Sequence, residues 1–383
     1  MTTTEAPAPR RLTSLDGLRG LASLMVVLTH ARLASELPGA APAVNAKVDE
    51  FVRGGFLLGL VSDGSVAVAI FFVLSGVVLT LPFLGAGGWR RWLAYYPRRV
   101  LRLYLPVWAS IVLAVGWYLA VPRRTGDDLP WWVADHAHPI ALRPLAQAFT
   151  LTRTTFLNTP LWSLVWEVAF SLLLPLFVLT VSGRRRWERL ALVGAAFAAI
   201  AVGGLINVGA LIMLPQFLIG AVIATSIEPL QRALGRVPRP GRWGIAALAV
   251  GLVWVSWVEW LLDLPAFAPI AWVAKVAAST LIVLAFLGFP RVMAFADTRP
   301  VQWLGRISFS LYLVHEPLLV SLRLLLAPAQ PSFWLMAALG VPLSLALGHA
   351  FYVVIERPAH RLAQFVGRWV RHRLAARGSL GAP

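Results

Sequence analysis

Leu15-Asp16-Gly17-Leu18-Arg19-Gly20-Leu21-Ala22-Ser23-Leu24-Met25-Val26-Val27-Leu28-Thr29-His30 is the stretch on which the reading of this chain turns. It is apolar enough to lie in lipid, yet it carries an acid, a guanidinium and an imidazole. In a helix Arg19 and His30 are separated by about three turns and roughly 16 Å of rise, with an angular offset of only about 20°, so both leave the same face. Asp16 precedes Arg19 by one turn and can pair with it. A charge at the bilayer centre costs about 2.5–3.5 kcal/mol on insertion scales, so such groups face a partner or a cavity and often mark a pathway. Two readings stand side by side. Arg19 snorkels to the interface and His30 is a neutral histidine bonded across helices, or the three belong to one site. Their common face favours the site.

The surrounding chain fits a membrane setting. Of its 383 residues, 58% are hydrophobic and 13% charged, against about 25% charged in soluble domains. Apolar runs centre on 15–37, 59–84, 103–121, 160–181, 190–206, 209–227, 244–261, 270–290, 305–325 and 333–355. Most approach the roughly 20 residues needed to cross a hydrocarbon core about 30 Å thick. The expectation is all-α, a polytopic integral membrane helical bundle of about ten transmembrane helices. A soluble enzyme and a disordered chain are excluded. So is a disulfide-stapled secreted domain, because the chain has no cysteine. Thiol nucleophiles, thiolate metal sites and Fe–S clusters go with it.

The net charge of +17 suggests nucleic acid until the charges are placed. With both termini cytoplasmic, 25 basic residues fall on the inner side and eight on the outer, with Lys275 inside a helix. That is the positive-inside pattern, and it leaves no need for a nucleic-acid partner. The expected organisation is a cytoplasmic tail over 1–14, a transmembrane domain over 15–356 and a basic cytoplasmic tail over 357–383. Asp16 and Arg19 within the first apolar stretch, and the lack of a small-residue cleavage site, mark it as a retained helix rather than a secretory signal. A tight outer hairpin is expected at Asn207, the alternative being one re-entrant element. Two outer segments, 38–58 and 122–159, exceed plain turns. Trp131 and Trp132 in the second fit an interfacial belt, with sugar stacking as the other reading.

Further polar residues lie where they are expensive. Glu167 follows Leu161-Trp162-Ser163-Leu164-Val165-Trp166, and is either paired with an arginine of a neighbouring helix or catalytic. His315 lies beside Tyr312 in Ser308-Phe309-Ser310-Leu311-Tyr312-Leu313-Val314-His315-Glu316-Pro317, where Pro317 kinks the helix and frees carbonyls near the histidine. Arg98, Arg99 and Arg102 at the mouth of the next helix serve topology, or hold phosphates through their paired donors. Asp135-His136-Ala137-His138 is a short outer cluster with weak metal-binding character, and no metal is expected. No G-x-S-x-G elbow or H-E-x-x-H motif is present.

In these blocks the chain resembles the acyltransferase-3 family of integral membrane acyl carriers. They comprise Leu15 to Gly20 with His30 at the R-x10-H spacing, Phe71-Phe72-Val73-Leu74-Ser75-Gly76, and Arg99 with Arg102. Trp162-Ser163-Leu164 with Glu167, Ser310-Leu311-Tyr312-Leu313 with His315, and Glu356-Arg357-Pro358 with Arg361 follow in family order. The resemblance implies a multi-pass protein of the cell membrane. It also implies O-acyl transfer, commonly of acetyl from acetyl-CoA, to a hydroxyl of a cell-surface glycan or glycosylated small molecule. There are departures: Val168 stands where a second acid is common, Glu316 replaces the tryptophan after His315, and the chain ends in a short basic tail where many members carry a hydrolase-like domain.

Acyl transfer needs a base for the hydroxyl proton and donors for the developing oxyanion. His30 is the expected base or transient acyl carrier, with Glu167 orienting an imidazole or relaying its proton. Arg99 and Arg102 are expected to hold the acyl-CoA phosphates. Arg19, fixed by Asp16, would guide the pantetheine arm or support the oxyanion. His315 and Tyr312 would line the acceptor side, and Ser75 and Trp162, from the matched blocks, are expected at the substrate. The alternative is a transporter or flippase for glycan or lipid-linked intermediates, although no inverted repeat is evident.

Overall fold

The computed structural model describes residues 12–36, 59–85, 89–153, 156–262 and 264–379. The N-terminal residues 1–11 and the outer segment expected over 38–58 lie outside the described residues. Among those described there is helix and no strand. We number the α-helices in chain order: α1 Thr13–Ala34, α2 Gly64–Thr80, α3 Trp89–Ala120, α4 Trp131–Ala134, α5 Leu142–Thr150, α6 Leu161–Val181, α7 Arg186–Ile206 and α8 Gly209–Ala224. They continue as α9 Ile227–Arg236, α10 Arg239–Leu262, α11 Ala268–Gly288, α12 Pro290–Ala296, α13 Arg299–Leu325, α14 Phe333–Phe351 and α15 Arg357–Ser379.

Every apolar run falls on a helix. Among the described residues, seven helices are long and apolar enough to cross a membrane. An eighth is added if α8 and α9, bent by 81°, form one broken span. The opening stretch, α1, is not among them: Asp16, Arg19, His30 and Arg32 dilute its hydropathy, and it depends on neighbours to shield those groups. The hairpin expected at Asn207 is present. Asn207 adopts the left-handed conformation at φ 53°, and Val208 N–H closes the turn onto Gly203 O at 2.9 Å.

The third helix differs from expectation. It begins at Trp89 rather than near 103, so Arg98, Arg99 and Arg102 lie within a helix and not at its mouth. The physical reason is aromatic packing: Trp92 stacks on Phe83 at 4.0 Å between ring centres and Tyr95 meets Phe83 edge-on, burying one side of a segment too charged to register as apolar. Arg99 and Arg102 then share a face, while Arg98 packs over Gly367 of α15. The C-terminal segment from 357, read from sequence as a tail, is helical through Ser379, joined to α14 by a π-helical turn over Tyr352–Glu356 and packed on α3.

At the centre α13 is enclosed by α1, α14 and α3. A side chain on Gly20 would strike the backbone of Leu304 and Gly305, and one on Gly305 would strike Asp16 O, so α1 and α13 meet backbone to backbone. This approach lets the polar face of α1 bond directly to α13. Because Pro317 has no N–H, the carbonyl of Leu313 has no helical donor. The buried amide of Asn158 supplies one at 2.8 Å, which accounts for the freed carbonyl expected beside His315.

Candidate active site

The polar residues of α1, α2, α3, α6 and α13 surround a cavity of about 160 Å³. Arg19 points from α1 into its wall, donating from Nε to Ser308 Oγ at 2.9 Å and from Nη2 to Gly305 O at 3.0 Å. Asp16 stands 3.6 Å from the same guanidinium. Across the cavity Glu167 is ion-paired with Arg99 and accepts from Ser75 Oγ at 3.1 Å, and Arg99 Nε donates to Ser171 Oγ at 3.0 Å. Arg102 also lines the cavity, is accessible there, and makes no side-chain hydrogen bond within the described residues. Glu356, carried by the π-helical turn, completes the wall and accepts from Ser310 Oγ at 2.5 Å.

The lining ends at Tyr312 and Ser163. The phenol of Tyr312 bonds Pro160 O at 2.9 Å and Ser163 Oγ at 2.7 Å, and its ring meets Phe71 edge-on. One layer beyond lies a pair of imidazoles. His315, fully buried, is 6.0 Å from the Tyr312 ring centre, and its Nε2 is 2.9 Å from His30 Nδ1. His315 Nδ1 lies 3.0 Å from Leu311 O. A carbonyl only accepts, so that nitrogen carries the proton, and in a neutral ring Nε2 must accept. His30 Nδ1–H is therefore the donor between the rings, and His30 Nε2 keeps its lone pair for a substrate proton. Trp132 stacks on His30 at 5.3 Å, with 26° between the planes.

A sequence model of the family, described as an acyltransferase domain, matches residues 12–353, nearly the whole chain. The chain belongs to the acyltransferase-3 family. Its curated relatives include acyltransferase MdmB of Streptomyces mycarofaciens, 32% identical over 204 residues, which is 51% of this chain and 47% of that protein. The chain thus spans about half the length of that relative. No solved structure matches it.

Within this acyltransferase-3 chain, the structure gathers Asp16, Arg19, Ser75, Arg99, Arg102, Glu167 and Tyr312 around the cavity and places His30 and His315 one layer outward. Glu167 meets Arg99, the kind of partner one of the two sequence readings expected. Trp162 packs against the aromatic cluster of Phe72, Phe170 and Phe217 and does not line the cavity. Trp131 is exposed, whereas Trp132 is buried with a face against His30.

Three residues of this region escaped the sequence reading. Ser308 and Glu356 lay inside quoted blocks, but nothing marked them as cavity walls. Glu316 registered only as a departure from the family. It is fully buried and accepts from the backbone N–H and hydroxyl of Thr159, with His136 Nε2 at 3.3 Å. A carboxylate beside a histidine in an apolar run was the available signal. The Asp135–His138 run does not converge on one point: His136 turns inward, while His138 stays at the surface 3.5 Å from Asp135. Among the described residues no group of His, Asp or Glu is arranged to hold a metal ion.

Proposed function

We propose that this protein is a membrane-embedded O-acyltransferase, moving an acyl group, acetyl in the simplest case, from cytoplasmic acyl-CoA to a hydroxyl of a carbohydrate or glycoside. The observation that carries the reading is the His30–His315 pair, whose tautomers leave a basic nitrogen on His30 one layer from an arginine-lined cavity. In the step, His30 Nε2 takes the acceptor hydroxyl proton as the oxygen attacks the thioester carbonyl. The C–S bond breaks, and the proton passes to the departing CoA thiolate. His315 holds the His30 ring and shares the positive charge that develops on it. Arg102, free of protein hydrogen bonds among the described residues, receives the CoA phosphates. Arg99 adds charge while tied to Glu167. Arg19, fixed by Asp16, Ser308 and Gly305, guides the pantetheine arm or steadies the oxyanion. Tyr312 must swing off Pro160 and Ser163 for the thioester to reach the imidazoles. Ser75 lines the donor path, and Trp162 supports it from behind.

In the same reading the ten apolar runs are ten crossings of the cell membrane with both termini inside, a topology supported by the basic bias of the inner loops. The test is the purified protein with acetyl-CoA and a panel of sugars and glycosides, following thiol release and the acyl mass added. Comparative mass spectrometry of surface glycans and secreted glycosides, with and without the protein, identifies the acceptor. Acceptor movement with no thioester consumed would replace this reading with a transporter.

A further inference from the structure

We propose that His136 and Glu316 are a positioning pair that clamps the outer helix α4, so that Trp132 forms the wall holding His30 in place for transfer. The proposal rests on the reading of His30 as the base. Glu316 follows His315 directly on α13, and its carboxylate is wholly enclosed. Three separate parts of the outer side converge on it: α13 itself, the turn after α4 through His136, and the connection into α6 through Thr159.

His136 Nδ1 lies 2.7 Å from Trp132 O, so this nitrogen carries a hydrogen. A neutral His136 would then turn the lone pair of Nε2 toward Glu316 Oε1 at 3.3 Å, acceptor against acceptor. The contact is favourable only with one further proton between them, as imidazolium with carboxylate or imidazole with carboxylic acid. Either way the pair has no net charge, which burial requires. Thr159 donates to both oxygens of the carboxylate.

The clamp bears directly on His30. Trp132 lies one helical turn before His136; its ring meets His136 edge-on at 4.8 Å and stacks on His30 on the other side. The four-residue α4 is too short to hold itself. Its other attachments are apolar packing against Val27, Ala31 and Leu319, and a hydrogen bond from Arg323 to Asp128 O at 3.1 Å. Without Glu316, an imidazole and two Thr159 donors are buried unpaired.

The test has two arms on purified protein in detergent. Amide hydrogen exchange over 131–137 needs no activity, and steady-state kinetics separates kcat from KM for acyl-CoA. Glu316→Leu and His136→Leu should each speed exchange there about tenfold or more and lower kcat about tenfold with an unaltered donor KM. The double substitution should be no worse than either alone. Glu316→Gln keeps both protection and most of kcat, because its amide N–H donates to the Nε2 of neutral His136. Trp132→Leu must lower kcat with the pair intact, and it carries the test if Glu316→Leu fails to fold. Unchanged exchange in Glu316→Leu overturns the clamp. Faster exchange with wild-type kcat, or wild-type kcat in Trp132→Leu, overturns the positioning role. If the wild-type protein transfers no acyl group, the proposed function fails, and the exchange arm still reports whether the clamp exists.

Discussion

His30 and Arg102 carry different parts of the proposed chemistry, and substitutions should separate them. His30→Ala removes the only basic nitrogen left open by the imidazole pair. Transfer should fall by about two to four orders of magnitude, the range of general-base contributions, while the protein still inserts, as judged by membrane fractionation and size-exclusion chromatography. Arg102→Ala should raise KM for acyl-CoA about tenfold with little change in kcat, since it removes ground-state binding. An unaltered KM would return Arg102 to topology alone. The shared face of Arg19 and His30 was legible in the sequence because helical periodicity is local: both reach α13, at Ser308 and His315. The partner of Glu167 was not, because Arg99 lies 68 positions away and reaches it only through the packing of α3 on α6. His136 and Glu316 are 180 positions apart, and no spacing rule joins them.

At the scale of elements, Asn158 and Pro317 show how a break in a buried helix is accommodated. Asn158→Ala leaves the Leu313 carbonyl unpaired in the interior and should cost about 1–3 kcal/mol of stability, measured as a lowered melting temperature in detergent. Asn158→Asp cannot donate in its ionised form and should be no better. The connection that follows α3 offers a pH readout. Arg124 donates twice to Asp128, at 2.7 and 2.6 Å, and holds its carboxyl down to about 2. A depressed carboxylate contributes above its unfolded value, near 3.9, and its contribution is lost as pH falls through the folded one. Exchange protection around 124–129 should therefore be the same at pH 6 as at pH 7 and decline progressively as the pH falls from about 4 toward 2. The early start of α3 was hidden from sequence for a definite reason. Hydropathy averages the arginines of 90–102 with the aromatic residues between them, whereas in the fold Trp92 and Tyr95 pack on Phe83 and hold the segment in place.

For the whole molecule, the apolar runs were readable because lipid leaves the backbone few options. Helices satisfy their own hydrogen bonds, and length then limits where they begin and end. Side of the membrane was inferred from charge alone, and the absence of native cysteine makes it directly measurable. Single substitutions Arg184→Cys and Arg153→Cys should be labelled by an impermeant maleimide from the cytoplasmic and the outer side respectively. Labelling of both from one side would refute the alternating topology. What the runs did not reveal was enclosure. Only packing shows that α13 is wrapped by α1, α3 and α14 while much of α7 faces outward.

Asp16, Arg19, Ser308, Tyr312, His315 and Glu316 follow one another along the facing sides of α1 and α13. The ring of Tyr312, latched to Pro160 and wedged beside Phe71, stands between the basin and the imidazoles. In the proposed reading this resting arrangement acts as an airlock. On that reading a thioester bound in the basin stays apart from the imidazoles until the ring moves, and an idle enzyme should waste few activated acyl groups on water.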